Sequence, residues 1–249
     1  MPADVTTSSA LRDRLVTASL DILQAEGPAE LTVRRVAEVA GSSTMGIYTG
    51  FGGRAGMLDA VYLRGFELLR DALAKAGTGG APADPASTPT DGAPAGPATT
   101  PTDSEPAGPA TERILALARS YREFALANPP LYALMFERPL PDFDPSPQLR
   151  AQALEMTFGL LVAEVGAAAE QGLLATSDPA RAAYLIWTAI HGMVSIELTH
   201  AVRSPLPGWF LDRPEVGDEV LAEGVTSLLA GLRAERGERP SLTQFRSRS

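Results

Sequence analysis

Residues 31–58 read LTVRRVAEVAGSSTMGIYTGFGGRAGML. Thr32 offers a hydroxyl cap to the run Val33 to Ala40, in which Val36, Ala37 and Ala40 share one helical face, and Gly41 ends it. Ser42-Ser43 offers a second cap, and Thr44 to Phe51 makes a helix of about two turns, too short to persist alone in water. Its order must come from packing Ile47, Tyr48 and Phe51 on neighbouring helices. Upstream, Leu11, Leu15, Ala18, Ile22 and Leu23 keep helical spacing until Gly27-Pro28. Downstream of Gly52-Gly53, Arg54 to Lys75 is a long amphipathic helix with Leu58, Val61, Tyr62, Phe66, Leu69 and Leu73 as its buried stripe, ending at Gly77. The two short helices joined by Ala40-Gly41-Ser42 form a helix-turn-helix pattern.

Such a pair fits the major groove of a DNA duplex, about 12 Å wide, with residues near the start of the second helix on base edges and the first helix across the backbone. The candidate DNA contacts are Thr32, Arg34, Ser43, Thr44, Met45, Gly46, Tyr48, Thr49 and Arg54. Thr44 can hydrogen-bond a base or phosphate, Met45 can touch a thymine methyl, and Gly46 lets the backbone come close. Tyr48 and Arg54 suit the phosphates, which position a reading head without specifying sequence. An ordinary helical corner would use the same turn, so the surrounding residues decide.

The net charge of −9 sits mostly outside this region. Residues 1–76 carry 8 basic against 9 acidic side chains, residues 77–110 no base and 4 acids, and residues 111–249 13 against 17. With no cysteine there is no disulfide, thiolate nucleophile or cysteine-bound zinc, and His191 and His200 alone make no histidine-rich metal site. No metal, cofactor or catalytic residue is therefore expected. Met1 to Ser9 lack a basic or apolar block, and the apolar run Ala182 to Ile196 falls short of the roughly 18 residues of a membrane helix. The expectation is a cytoplasmic protein with no membrane partner.

Gly77 to Ala110 consists almost entirely of Gly, Ala, Pro, Thr, Ser and Asp, with eight prolines and no large apolar residue. It cannot bury enough surface to offset the entropy of ordering it, so residues 77–111 are predicted to be a disordered insert. Within it, residues 88–99 recur as residues 100–111 with ten of twelve positions identical, a tandem duplication without a hydrophobic face. Helical patterns resume over Thr111 to Ala127, Pro130 to Glu137, Gln148 to Leu173, Pro179 to Ala201 and Glu215 to Arg236. No segment alternates as a strand would. The fold class is therefore all-α: a three-helix N-terminal helix-turn-helix domain with its connecting helix (1–76), the insert (77–111), a helical C-terminal domain (112–236) and a disordered tail (237–249).

Residues 11–76 resemble the DNA-binding domain of the TetR family of transcriptional regulators. Leu31 to Ser43 is similar to that family's second helix and turn, and Ile47-Tyr48-x-x-Phe51 followed by Arg54 and Leu58 to its recognition helix and the start of its fourth helix. Three positions depart: Gly50 stands where histidine is usual, Ser42 where valine is common, and Arg54 where a lysine usually meets a phosphate. Beyond the insert, Asn128-Pro129-Pro130-Leu131-Tyr132-x-x-Met135-Phe136 and Trp187-x-x-x-His191-Gly192 resemble a TetR-type regulatory domain of the Trp-His-Gly subgroup.

The resemblance implies a homodimeric regulator, a repressor that binds a palindromic double-stranded DNA operator and is released by a small-molecule effector. Helical spacing puts Trp187 and His191 one turn apart on one face. With Tyr121, Phe124, Met135, Phe136, Met156 and Phe158 they suggest an apolar or aromatic effector pocket, although a packed core would use the same residues. Family members dimerise through their last two long helices, which assigns Ile190, Val194, Leu198, Val220, Leu221, Gly224, Val225, Leu228, Gly231 and Leu232 to the interface. Gly224 and Gly231 support this, since each costs roughly 1 kcal/mol of helix stability that close helix approach would offset. Close packing inside one subunit is the other reading of those glycines. Two further functions stay open: a helical small-molecule-binding or scaffold protein with a degenerate helix-turn-helix, and an all-helical enzyme.

Overall fold

The computed structural model describes residues 3–78, 109–200 and 213–233. Nine α-helices occur among them: α1 (Ala3–Glu26), α2 (Val33–Val39), α3 (Thr44–Phe51), α4 (Arg54–Thr78), α5 (Pro109–Ala127), α6 (Pro129–Phe136), α7 (Pro147–Glu170), α8 (Pro179–Leu198) and α9 (Pro214–Arg233), with a 3₁₀ turn at Pro28–Glu30. No strand occurs among the described residues, in keeping with the all-α reading. The centre of the insert, residues 79–108, and the tail 237–249 lie outside the described residues.

Local chemistry accounts for the element ends. The Thr32 hydroxyl accepts from the Arg35 N–H at 3.2 Å, opening α2. Gly52, at φ 74°, closes α3 in the left-handed region and donates to the Tyr48 carbonyl. Ser146 and Asp178 cap α7 and α8 through side-chain oxygens, each followed by a proline whose missing N–H removes an orphan donor. Two ends of the predicted insert are helical. Residues 77 and 78 continue α4, and α5 starts at Pro109 because Ala110 and Thr111 are small enough to bury against the core. At the other terminus α1 begins at Ala3, well before the first apolar position that periodicity detects at Leu11.

The short α2 and α3 are held by tertiary packing, as their length requires. Leu15, Ile22, Leu31, Val36, Ile47 and Leu58 are all essentially inaccessible and close one core among α1 to α4. Full burial of each such side chain contributes about 1.5–3 kcal/mol relative to exposure. Gly56 lets α4 start beneath α3, where a Cβ would overlap the Phe51 carbonyl oxygen. Farther along α4, Phe66, Leu69 and Leu73 continue this core against α5, α6 and α7. Met135 and Leu131 of α6 lie against Gly65, where a Cβ would fall 2.8 Å from the Met135 sulfur. One continuous helix thus packs against both the helix-turn-helix and the helices after residue 109.

Candidate nucleic-acid interface and effector cavity

Among the predicted DNA contacts, Thr32, Arg34, Ser43, Thr44, Met45, Tyr48 and Thr49 are exposed on α2, α3 and the turn between them. Met45 and Tyr48 are 68% and 56% exposed, large side chains that the fold leaves in solvent. Ser43 makes no side-chain capping bond, and Gly46 is half-buried, its missing Cβ giving room to the Ser42 hydroxyl 2.6 Å away. Two neighbouring arginines are separated by their partners. Arg35 is paired with Glu26 at 2.6 Å and with Glu38 at 3.4 Å, and the Arg35 hydrogen bond holds the Glu26 carboxyl below its usual range. Arg34 is exposed and enters no ion pair among the described residues.

Arg54 differs from its sequence reading. Its Nε donates to the Leu31 carbonyl at 3.1 Å and its Nη1 pairs with the Asp142 carboxylate. The reason is tertiary: Leu140 and Phe143 are buried beside α4, with Phe143 edge-on to Tyr62, and they bring Asp142 over the first turn of α4. Arg54 therefore ties the start of α4 to the segment before α2 and to the loop after α6. Gly50, the position that departs from the family pattern, has its carbonyl bonded by Arg12, whose guanidinium lies over the Phe51 ring at 4.6 Å.

The predicted effector residues divide into three groups. Tyr121, Phe136, Phe158 and Trp187 line an apolar cavity of about 40 Å³ among α4, α5, α6, α7 and α8, together with Leu69, Leu73, Leu117 and Ile190. Phe124 and Met135 are buried core side chains away from it, and Met156 is a half-buried α7 side chain packed on the core. His191 stands behind the cavity wall. Its Nδ1 lies 2.8 Å from the Tyr121 hydroxyl and 2.9 Å from the Tyr132 hydroxyl, and its ring stacks on Tyr132. Burial lowers the His191 pKa and raises that of Tyr121 well above the ordinary tyrosine value, so both are neutral near pH 7. Tyr132 was missed as a site residue; its only sequence signal is its place in the Pro-Pro-Leu-Tyr segment. At about 40 Å³ the cavity holds little more than a water, far below the roughly 300–1,000 Å³ of a ligand pocket, so a ligand-sized guest requires its walls to part.

The proposed interface residues also need correction. Ile190, Val194, Leu198, Leu221 and Val225 lie in the chain's own core and cannot meet a second copy unless the chain opens. Because α8 is apolar nearly all round, two stripes competed for the interior, and packing on α5, α7 and α9 chose this one. The outward stripe carries Tyr184, Leu185 and Ile196, and Val220 is exposed on α9. Gly224 is an internal close approach, its missing Cβ giving room to the Met193 sulfur 2.8 Å away, whereas Gly231 faces open space. Leu228 and Leu232 are half-buried and line a shallow groove with Gly224 and Gly231.

No group of histidine and carboxylate side chains among the described residues could hold a metal ion, and no described helix is long and apolar enough to cross a membrane. Residues 114–222 match the family described as tetracyclin repressor-like, C-terminal domain. No curated protein matches the chain. A protein with unknown function from Rhodococcus sp. RHA1 is similar in structure, at 25% identity and a TM-score of 0.63 over 90% of this chain and 96% of that one. PfmR, a TetR family transcriptional regulator from Thermus thermophilus, superposes at 19% identity and a TM-score of 0.53 over 88% and 98% of the two chains. RolR, solved in complex with resorcinol, does so at 14% identity and a TM-score of 0.57 over 92% and 91%. The chain thus has the all-helical fold of the TetR-type regulators, a helix-turn-helix at its N-terminal end and a tetracyclin repressor-like helical domain after it.

Proposed function

We propose that this chain is a ligand-responsive transcriptional regulator, a repressor that binds a palindromic DNA operator as a homodimer and leaves it when a small molecule occupies the C-terminal domain. Residues 1–76 serve as the reading head and residues 112–236 as the effector and dimerisation domain, and the Trp187, His191 and Gly192 segment supports assignment to the Trp-His-Gly subgroup. The observation that carries the reading is α4, one helix whose first half packs against α3 of the exposed helix-turn-helix and whose second half walls the apolar cavity. An effector that enlarges the cavity favours another tilt of α4, and operator affinity falls by the ligand's differential affinity for the two arrangements. The outward α8 and α9 stripe of Leu185, Ile196 and Val220 supplies the face for a second copy. The similarity to RolR, which binds resorcinol, and to the regulator PfmR supports this reading over an enzyme.

A helical ligand-binding protein without DNA affinity is the second reading, favoured by Arg54 being committed inside the chain. Sequencing genomic fragments retained by the purified chain separates the two. A shared palindrome supports the regulator; retention of no common sequence, with the fragments eluting together at low salt, overturns it.

A further inference from the structure

From Gly41 to Gly53, through the turn and all of α3, the chain carries no charged, amide or imidazole side chain. The groups that bond one base through two atoms at once are therefore absent from the helix placed to enter the groove: an arginine or lysine for guanine, an amide for adenine. Charges around it are engaged elsewhere. Arg35 is paired with Glu26 and Glu38, Arg12 donates to the Gly50 carbonyl and covers Phe51, and Arg54 holds Leu31 and Asp142. Arg34 is exposed on α2, the helix that crosses the backbone. What α3 presents instead is apolar. Met45 is the most exposed large hydrophobic side chain among the described residues, and Ile47, fully buried two positions on, fixes the face of α3 that points outward. The Tyr48 ring leans over Gly53, where a Cβ would come within 3.5 Å of it, and so lies toward the α3–α4 turn and leaves the start of the helix to Met45. Thr44 and Thr49 are exposed on either side, with hydroxyls that serve any base pair.

We propose that Met45 reads the operator through the C5-methyl group of thymine, so that half-site specificity comes from apolar contact and not from paired hydrogen bonds to guanine or adenine. This rests on the regulator reading above and names the feature of the duplex that the reading head recognises. Among the unmodified base pairs only those with thymine place a methyl group in the major groove. The unbranched thioether of Met45 adapts its shape to such a group, and covering both removes apolar surface from water that the chain alone leaves exposed. Cytosine methylated at C5 carries the same group at the same place, so the position facing Met45 prefers 5-methylcytosine to cytosine.

In the test, the full chain first selects its operator from random duplexes, and affinities are then measured by fluorescence anisotropy at one salt concentration, since salt alone shifts them. Each thymine of the half-site is replaced in turn, in both halves, by deoxyuridine, which removes the methyl group and keeps every hydrogen-bonding atom. The titrations use the unaltered protein, Met45→Ala and Met45→Leu, each first shown by its melting curve to fold. Burial of one methyl group corresponds to about fourfold in affinity, so uracil at the thymine facing Met45 costs roughly fifteenfold over the two half-sites. Met45→Ala erases that penalty, Met45→Leu keeps most of it, and 5-methylcytosine at the same position binds more tightly than cytosine. An operator indifferent to uracil at every thymine, or a penalty as large in Met45→Ala as in the unaltered chain, overturns the methyl reading and leaves the regulator standing. Selection of no common sequence overturns both.

Discussion

Arg122 on α5 and Glu197 on α8 form a bidentate pair, Nε to Oε2 at 2.8 Å and Nη2 to Oε1 at 2.6 Å, with each side chain 8% exposed. The pair lies under α9 at Gly217, where a Cβ would overlap Glu197 Oε1 and fall 2.6 Å from Arg122 Nη2. Two desolvated charges are compensated here by parallel charge-assisted hydrogen bonds, and a glycine lets the last helix close over them. The arrangement fixes the register of α5, α8 and α9 more than it adds stability, since a well-packed apolar pair of the same volume would serve as well or better.

Removing one partner should therefore cost far more than removing both. Glu197→Ala leaves the Arg122 guanidinium buried beside an empty space, and denaturant unfolding should show a loss of about 3–5 kcal/mol. The double change Arg122→Met with Glu197→Leu should recover most of it. Equal losses in the single and double variants would mean that the pair contributes through packing alone.

The two arginines near the reading head should behave differently on DNA. Arg34 is exposed and outside any described ion pair, so Arg34→Ala should flatten the salt dependence of operator binding by about one unit of slope per half-site. Arg54 is engaged with Leu31 and Asp142, and Arg54→Ala should lower the melting temperature while leaving the slope unchanged. Asp142→Asn, which removes an exposed carboxylate, should change stability by no more than about 1 kcal/mol. A slope that falls in Arg54→Ala and in the Arg34 variant alike would return Arg54 to the phosphate backbone.

His191 should make stability depend on pH. Its folded pKa lies below the ordinary 6.5, so the unfolded chain takes up a proton first. Stability is then fully present above about pH 6.5 and falls as the pH drops from there toward the folded pKa, because the unfolded state binds more protons. His191→Gln should flatten the fall below about pH 6.5. The same slope in both proteins would place the titration elsewhere.

A carboxylate on the outward stripe should act differently from one on the inward stripe of the same helix. Ile196 is 56% exposed in the single chain and Val194 is fully buried. Ile196→Glu should leave the fold intact, sediment as a monomer and lose the palindrome, since one reading head gives up half of the base and phosphate contacts. Val194→Glu should unfold the chain. Leu228→Glu, at the half-buried rim of α9, should follow the Ile196 variant. A dimer that survives both Ile196→Glu and Leu228→Glu would mean that another surface joins the copies.

Signals that act within a few residues of chain were enough to mark the helices and the reading head. The 3.6-residue spacing of Leu15, Ile22, Val36 and Ile47 shows where helices run, and the caps Thr32 and Asp178 show where two of them start, whereas the Ser146 cap of α7 emerges only in the structure. Residue type also singled out Tyr121, Phe136, Phe158 and Trp187, which meet at the cavity, but could not part them from Phe124, Met135 and Met156, since burial and binding use the same side chains. The remaining features depend on partners far along the chain, which no local pattern encodes. Arg54 pairs with Asp142, 88 positions away, where the buried Leu140 and Phe143 anchor the intervening loop. Tyr132 joined His191 across a separation of 59 residues. On α8, where apolar side chains surround the axis, periodicity cannot say which stripe is inside; only the presence of α5 and α9 on one side buried Ile190 and Val194 and left Leu185 and Ile196 to solvent.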